Sequence, residues 1–237
     1  MLKPELRQNF TIDATVLEDV ANSLNLEQND KIIEIGAGKG VLSRKILRRI
    51  HESKFQSKLL SYEIDKDLLE DLESIKNQYK DSFDFRMQSF LDANPKTGYN
   101  KCTGNIPYHI SEPLFFKFIE WKFDYIAMIT GIKFARKVNG EFPGKLATLS
   151  KYLFDIEIVK EYDKTIFYPR SKVDSALIIM KRKQVFETEI DKTISKIFQN
   201  VEKKHLWLNK LLGFDQSQLG QIYHMDLDKL VSEIKNK

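Results

Sequence analysis

The chain carries one cysteine, Cys102, four histidines and no long apolar run. A single cysteine excludes an internal disulfide and suits a reducing compartment. In the apolar stretch around it, the thiol reads as a small buried hydrophobe rather than a nucleophile. His51, His109, His205 and His224 are scattered without metal-ligand spacing, so no metal site is expected. No stretch reaches the length of a membrane span, and no signal or transit peptide is visible; a cytoplasmic protein is expected. Internal repeats and low-complexity tracts are also lacking, which sets aside solenoids and disordered tails.

What is present is an ordinary globular composition. The chain has 237 residues, 42% of them hydrophobic and 30% charged. That length suits one large domain, or a catalytic domain with a small appendage. A net charge of +4 is mildly basic and compatible with a nucleic-acid partner. Short buried-strand runs at 31–35, 59–64, 83–88, 99–103 and 123–129 alternate with helical patterns at 13–25, 41–49, 65–79, 112–121 and 145–153. Such alternation predicts a doubly wound, mostly parallel α/β sheet. Two more strands, 156–162 and 173–181, have no helix-length spacer between them, so one of the two should run antiparallel. From about 183 onward the periodicity is helical and the charge nearly balanced. The expected division is a domain over 1–182 and a small helical domain over 183–237.

In open α/β sheets, ligands bind beyond the carboxyl ends of the strands. Three features fall there. Glu34-Ile35-Gly36-Ala37-Gly38-Lys39-Gly40 follows the first strand and opens a helix, with glycines that let the backbone turn tightly near a ligand. A dinucleotide fingerprint would place glycine at 41, where Val41 stands, so a cofactor without pyrophosphate is expected. Glu63, in Tyr62-Glu63-Ile64-Asp65 at the end of the second strand, is positioned to accept from both hydroxyls of a ribose, while Asp65 is the better helix cap. The loop Gln88-Ser89-Phe90-Leu91-Asp92 should run beside an adenine. Ribose, adenine and no phosphate describe S-adenosylmethionine, whose methyl transfer asks mostly for alignment.

The fourth feature is Asn105-Ile106-Pro107-Tyr108, just after the fourth strand. The exocyclic N6 of adenine is a poor nucleophile because its lone pair is conjugated with the ring. Accepting both of its hydrogens favours a pyramidal nitrogen. The Asn105 side-chain oxygen can be one acceptor and the Ile106 carbonyl the other, held outward because Pro107 fixes the backbone. Tyr108 then offers a ring for a splayed-out base.

The chain resembles the rRNA adenine N6,N6-dimethyltransferases, the small-subunit dimethyladenosine transferases with the erythromycin-resistance methylases as cousins. Arg7-Gln8-Asn9-Phe10, the glycine loop, Tyr62-Glu63-Ile64-Asp65, Gly104-Asn-Ile-Pro-Tyr-His109-Ile-Ser111 and Phe167-Tyr-Pro-Arg-Ser-Lys-Val-Asp-Ser-Ala176 carry the resemblance, in that order. It implies a seven-stranded Rossmann-like methyltransferase sheet and S-adenosylmethionine as cofactor. It further implies that Gln8 and Asn9 touch the methionine part, that Gly36 and Gly38 pass under it, and that Glu63, with Ile64 beside it, holds the ribose. Ser89 stands where the family bonds the cofactor adenine with Asp, and Asn105 counts with the cofactor set as well as the catalytic one. Tyr108 and Phe167 would sandwich the target adenine. The implied activity is N6,N6-dimethylation of rRNA, on adjacent adenines near the 3′ end of small-subunit rRNA, by a monomer.

Phosphate contacts are then expected. Lys133, Arg136 and Lys137, Arg170 and Lys172, and Lys203 and Lys204 are the candidates. The Arg44, Lys45, Arg48 and Arg49 group reads as a solvated face turned from the crevice. The family's Gln-Lys-Glu after the fifth strand is Gly131-Ile132-Lys133 here. That change and Ser89 motivate an alternative, an RNA-binding ribosome-assembly factor with methylation weakened or lost.

Overall fold

The computed structural model describes residues 10–11, 13–142 and 144–183. The expected helical domain over 183–237 lies, apart from Lys183, outside them. The described residues part into two units: those up to 135 with 157–181, and 136–156 with 182–183.

In chain order the elements are β1 (Phe10–Thr11), α1 (Ala14–Ser23), β2 (Lys31–Ile35), α2 (Val41–Glu52), β3 (Lys58–Glu63), α3 (Leu69–Gln78) and β4 (Phe83–Met87). They continue with β5 (Lys101–Asn105), α4 (Ser111–Trp121), β6 (Tyr125–Gly131), α5 (Ile132–Val138), α6 (Lys145–Leu153), β7 (Phe154–Tyr162), β8 (Phe167–Tyr168) and β9 (Ser175–Arg182). The expected sheet is there, with seven strands in the order β4-β3-β2-β5-β6-β9-β7. β4 through β6 pair in parallel, and β9 runs antiparallel to β6. The strand order reverses between β2 and β5. That is the switch point where open α/β sheets take their ligands.

Local signals explain the elements. Asp13 caps α1, its carboxylate accepting from Thr15 N at 2.8 Å. Asp65 likewise caps the short turn at 66–68 that leads into α3. In β2 and β3 only the first residue, Lys31 or Lys58, is exposed, as expected where helices cover both faces. Alternation then sends neighbours to opposite sides. Leu59 joins a core cluster with Val20, Leu24, Ile46, Leu47 and Leu72. Tyr62 instead meets Phe90 edge-on at 5.1 Å, and Phe90 and Phe123 pack on Trp121. Each fully buried side chain of this kind contributes roughly 1.5–3 kcal/mol. At the other end of β5, buried Lys101 pairs with buried Asp30 at 2.8 Å. Removing either partner would strand a charge in the interior.

Three local readings are corrected. β5 does not stop at 103 but runs through Asn105, which pairs with Ile129, and β6 continues to Gly131. The Asn and Pro read as turn formers, yet the ladder holds as long as partner strands lie alongside. A helix at 132–138 follows β6, where no helix was expected. β1 and β8 form a two-residue antiparallel ribbon that the pattern did not reveal.

Candidate active site

The carboxyl ends of β2, β3, β4 and β5 converge on one cavity of about 820 Å³, within the range of small-molecule sites. The glycine loop forms its floor. Gly36 N and Ala37 N both donate to the Tyr62 carbonyl, at 2.9 and 3.2 Å, which ties the loop to the end of β3. Gly36 and Gly38 have φ of 74° and 56°, backbone that a side chain would strain. Gly38 N donates to Glu63 Oε2 at 2.8 Å, while Glu63 Oε1 accepts from Ile64 N and Asp65 N at 2.8 and 2.9 Å. Three backbone donors therefore fix one carboxylate, 6% exposed, between the loop and the turn after β3. Ile64, beside it, is half exposed and lines the wall. Ser89 lines the cavity too, with its hydroxyl accepting from Leu91 N at 3.2 Å as the cap of the turn at 90–92. Asp92 is exposed and is not among the lining residues.

Asn105, Ile106, Pro107 and Tyr108 form the opposite wall. The Ile106 side chain is buried, and its amide donates to the Ile129 carbonyl at 2.9 Å. Pro107, at φ −58° and ψ 125°, turns the chain into the single 3₁₀ turn Tyr108–Ile110. Ser111 Oγ and Thr130 Oγ1, 2.9 Å apart and both buried, pin the start of α4 to β6.

The structure thus brings Gly36, Gly38, Glu63, Ile64, Ser89, Asn105, Ile106, Pro107 and Tyr108 to one cavity. It corrects Phe167. That ring is 2% exposed, belongs to the core cluster and is absent from the cavity wall. The ring that lines the cavity is the neighbouring Tyr168, 61% exposed. In β8 adjacent side chains point to opposite faces, so one ring packs inward and the next outward. Asp67, Asp71 and Thr11 also line the cavity and were missed. Acids spaced four apart directly after Asp65 were the available signal for the first two. Gln8, Asn9, Lys203 and Lys204 lie outside the described residues. Lys133, Arg170 and Lys172 are exposed in the first unit, while Arg136 and Lys137 belong to the second. Lys45 and Arg49 both pair with Glu18 on α1.

A sequence profile of ribosomal RNA adenine dimethylases matches residues 1–211. The chain belongs to the ribosomal RNA adenine dimethylase family. Among the relatives of this dimethylase, ribosomal RNA small subunit methyltransferase A of Mycoplasmopsis synoviae strain 53 is 35% identical over 211 residues, covering 85% of this chain and 74% of the relative. The enzyme of the same name from Thermotoga maritima is 31% identical over 209 residues, 85% of this chain and 72% of its own. The crystal structure of the 23S rRNA methyltransferase ErmE superposes with a TM-score of 0.67 at 25% identity, covering 85% of this chain and 84% of that one.

The expected class, an S-adenosylmethionine-dependent rRNA adenine dimethyltransferase on a Rossmann-like sheet, is the class of this family. The cavity suits that cofactor. Its wall carries four carboxylates, Glu63, Asp65, Asp67 and Asp71, against one lysine, Lys39. Such a wall disfavours a pyrophosphate and favours a ligand bearing a positive sulfonium. Apolar Ile64, Phe90 and Leu91 offer flat contact for a purine. Among the described residues, no helix is long and apolar enough to cross a membrane, and no cluster of side chains could hold a metal ion.

Proposed function

We propose that this chain dimethylates N6 of adenine in small-subunit rRNA, on adjacent adenines near its 3′ end, acting as a cytoplasmic monomer. The observation that carries the reading is the convergence of Asn105 and Tyr108 with the glycine loop and Glu63 on one cavity. Bound S-adenosylmethionine supplies an electrophilic methyl group on sulfonium. Glu63, already fixed by backbone donors, keeps lone pairs for the ribose hydroxyls, with Ile64 against the purine and Ser89 at its edge. Gln8 and Asn9 complete the methionine end. Asn105 Oδ1 and the Ile106 carbonyl accept the two N6 hydrogens, and Pro107 holds that carbonyl in place. Tyr108 offers the stacking face, with Tyr168 rather than Phe167 as the second ring. No strong base is needed, because the methylated amine is cationic and sheds its proton readily. The phosphates fall to Lys133, Arg170 and Lys172; Arg136, Lys137, Lys203 and Lys204 stay candidates on their charge alone.

The test is tritiated methyl transfer to small subunits lacking dimethyladenosine, with large-subunit rRNA in parallel. Label appearing as N6,N6-dimethyladenosine in the small subunit is the expected result. Label only in the large-subunit RNA would overturn the substrate. No label, with micromolar cofactor binding also lost in calorimetry, would favour the assembly-factor reading.

A further inference from the structure

β6 and β9 place Gly131 directly opposite Ser175. Tyr108 lies across that pair. A Cβ added to Gly131 would stand 3.1 Å from Tyr108 Cγ and 3.4 Å from Cδ1, so the ring rests against bare backbone. Gly131 is not among the glycines with positive φ. Its lack of a side chain therefore serves room rather than conformation. The Tyr108 hydroxyl meets Ser175 Oγ at 2.5 Å, and Ser175 is fully buried.

We infer that the Gly131–Ser175 pair is a positioning device that sets the plane of the Tyr108 ring on which the target adenine stacks. It touches neither base nor cofactor and acts only through Tyr108; the inference rests on the function proposed above. Gly131 lets the ring approach the strand, and Ser175 stops it from turning about its χ angles. With its hydroxyl held on Ser175, Tyr108 presents a face and no polar edge. Stacking on a ring face tolerates any base. The choice of adenine is thereby left to the two acceptors, Asn105 and Ile106.

A double-mutant cycle of Ser175→Ala and Tyr108→Phe tests this, read as KM and kcat for an RNA fragment, cofactor affinity, and fluorescence of 2-aminopurine at the target position. Each single change should raise KM for RNA about three- to tenfold, the worth of one hydrogen bond, with cofactor affinity unchanged. The double variant should match either single, since both remove the same bond. Ser175→Thr should restore the wild-type KM. Gly131→Ala should reproduce the loss and weaken the 2-aminopurine response, because the added carbon displaces the ring. Multiplicative effects in the double variant, or an unchanged KM in Ser175→Ala, would overturn the device while leaving the proposed function standing. A wild-type enzyme that transfers no methyl to RNA adenine would overturn both.

Discussion

Glu34 lies on β2, two residues before Gly36, and is completely enclosed. Ser43 and Ser61 each donate to its Oε2 at 2.5 Å, while Oε1 has no hydrogen-bond partner. Burial pushes its carboxyl up to about 7; the two serine bonds oppose the rise and the Glu63 carboxylate adds to it. The folded chain therefore keeps this proton to higher pH than the unfolded chain, whose carboxyl titrates near 4.5. Stability from this group is intact below 4.5 and is lost as pH rises through about 7. Glu34→Gln should match wild type near the lower value and exceed it by about 3 kcal/mol above the upper one. Urea denaturation at about pH 5 and about pH 8 measures the difference. Asn105→Ala addresses chemistry instead. Turnover should fall at least about 100-fold, far more than cofactor affinity does, by methyl transfer and calorimetry. Near-normal turnover would refute the acceptor role. Asn105 was legible from its neighbours Pro107 and Tyr108. The exposure of Tyr168 was not, because which of two adjacent rings faces out depends on what pairs with β8.

At the scale of elements, β2 and β5 meet with Ile35 opposite Gly104, one residue before Asn105. Gly104 has φ 154°, and a Cβ there would stand 2.3 Å from the Ile35 carbonyl oxygen. Backbone cannot yield as a side-chain tip can. Gly104→Ala should cost about 3 kcal/mol or more and push β5 off β2 where the cavity opens. A lowered Tm together with weakened cofactor binding is the expected pair of results. The parallel strands and their following helices were legible because each repeats a buried run and then a 3.6-residue period. The ends of β5 and β6 were not. A ladder continues for as long as partner strands lie alongside, and Ile129 is far from Asn105 in sequence.

For the whole molecule, the small positive charge matters less than its distribution. Lys45 and Arg49 are engaged by Glu18, which agrees with a face turned to other work than RNA. Lys172 is exposed on the segment after β8. Lys172→Ala should weaken RNA binding similarly across sequences and reduce the slope of log affinity against log salt by about 0.7–0.9. Lys45→Ala should leave that slope unchanged. Filter binding between about 50 and 200 mM salt separates the two.

Sheet type, the glycine loop, the acid that ends β3 and the Asn-Ile-Pro-Tyr turn were legible from residues within a few positions of one another, because strand burial, helical period and turn chemistry are local. Tertiary pairing decided the rest. Tyr168 rather than Phe167 reached the cavity because β8 aligned with β1. Tyr108 found its hydroxyl partner 67 residues away, on a strand that runs against β6. Short-range pattern carries no information about such meetings; only the packed sheet brings those atoms together.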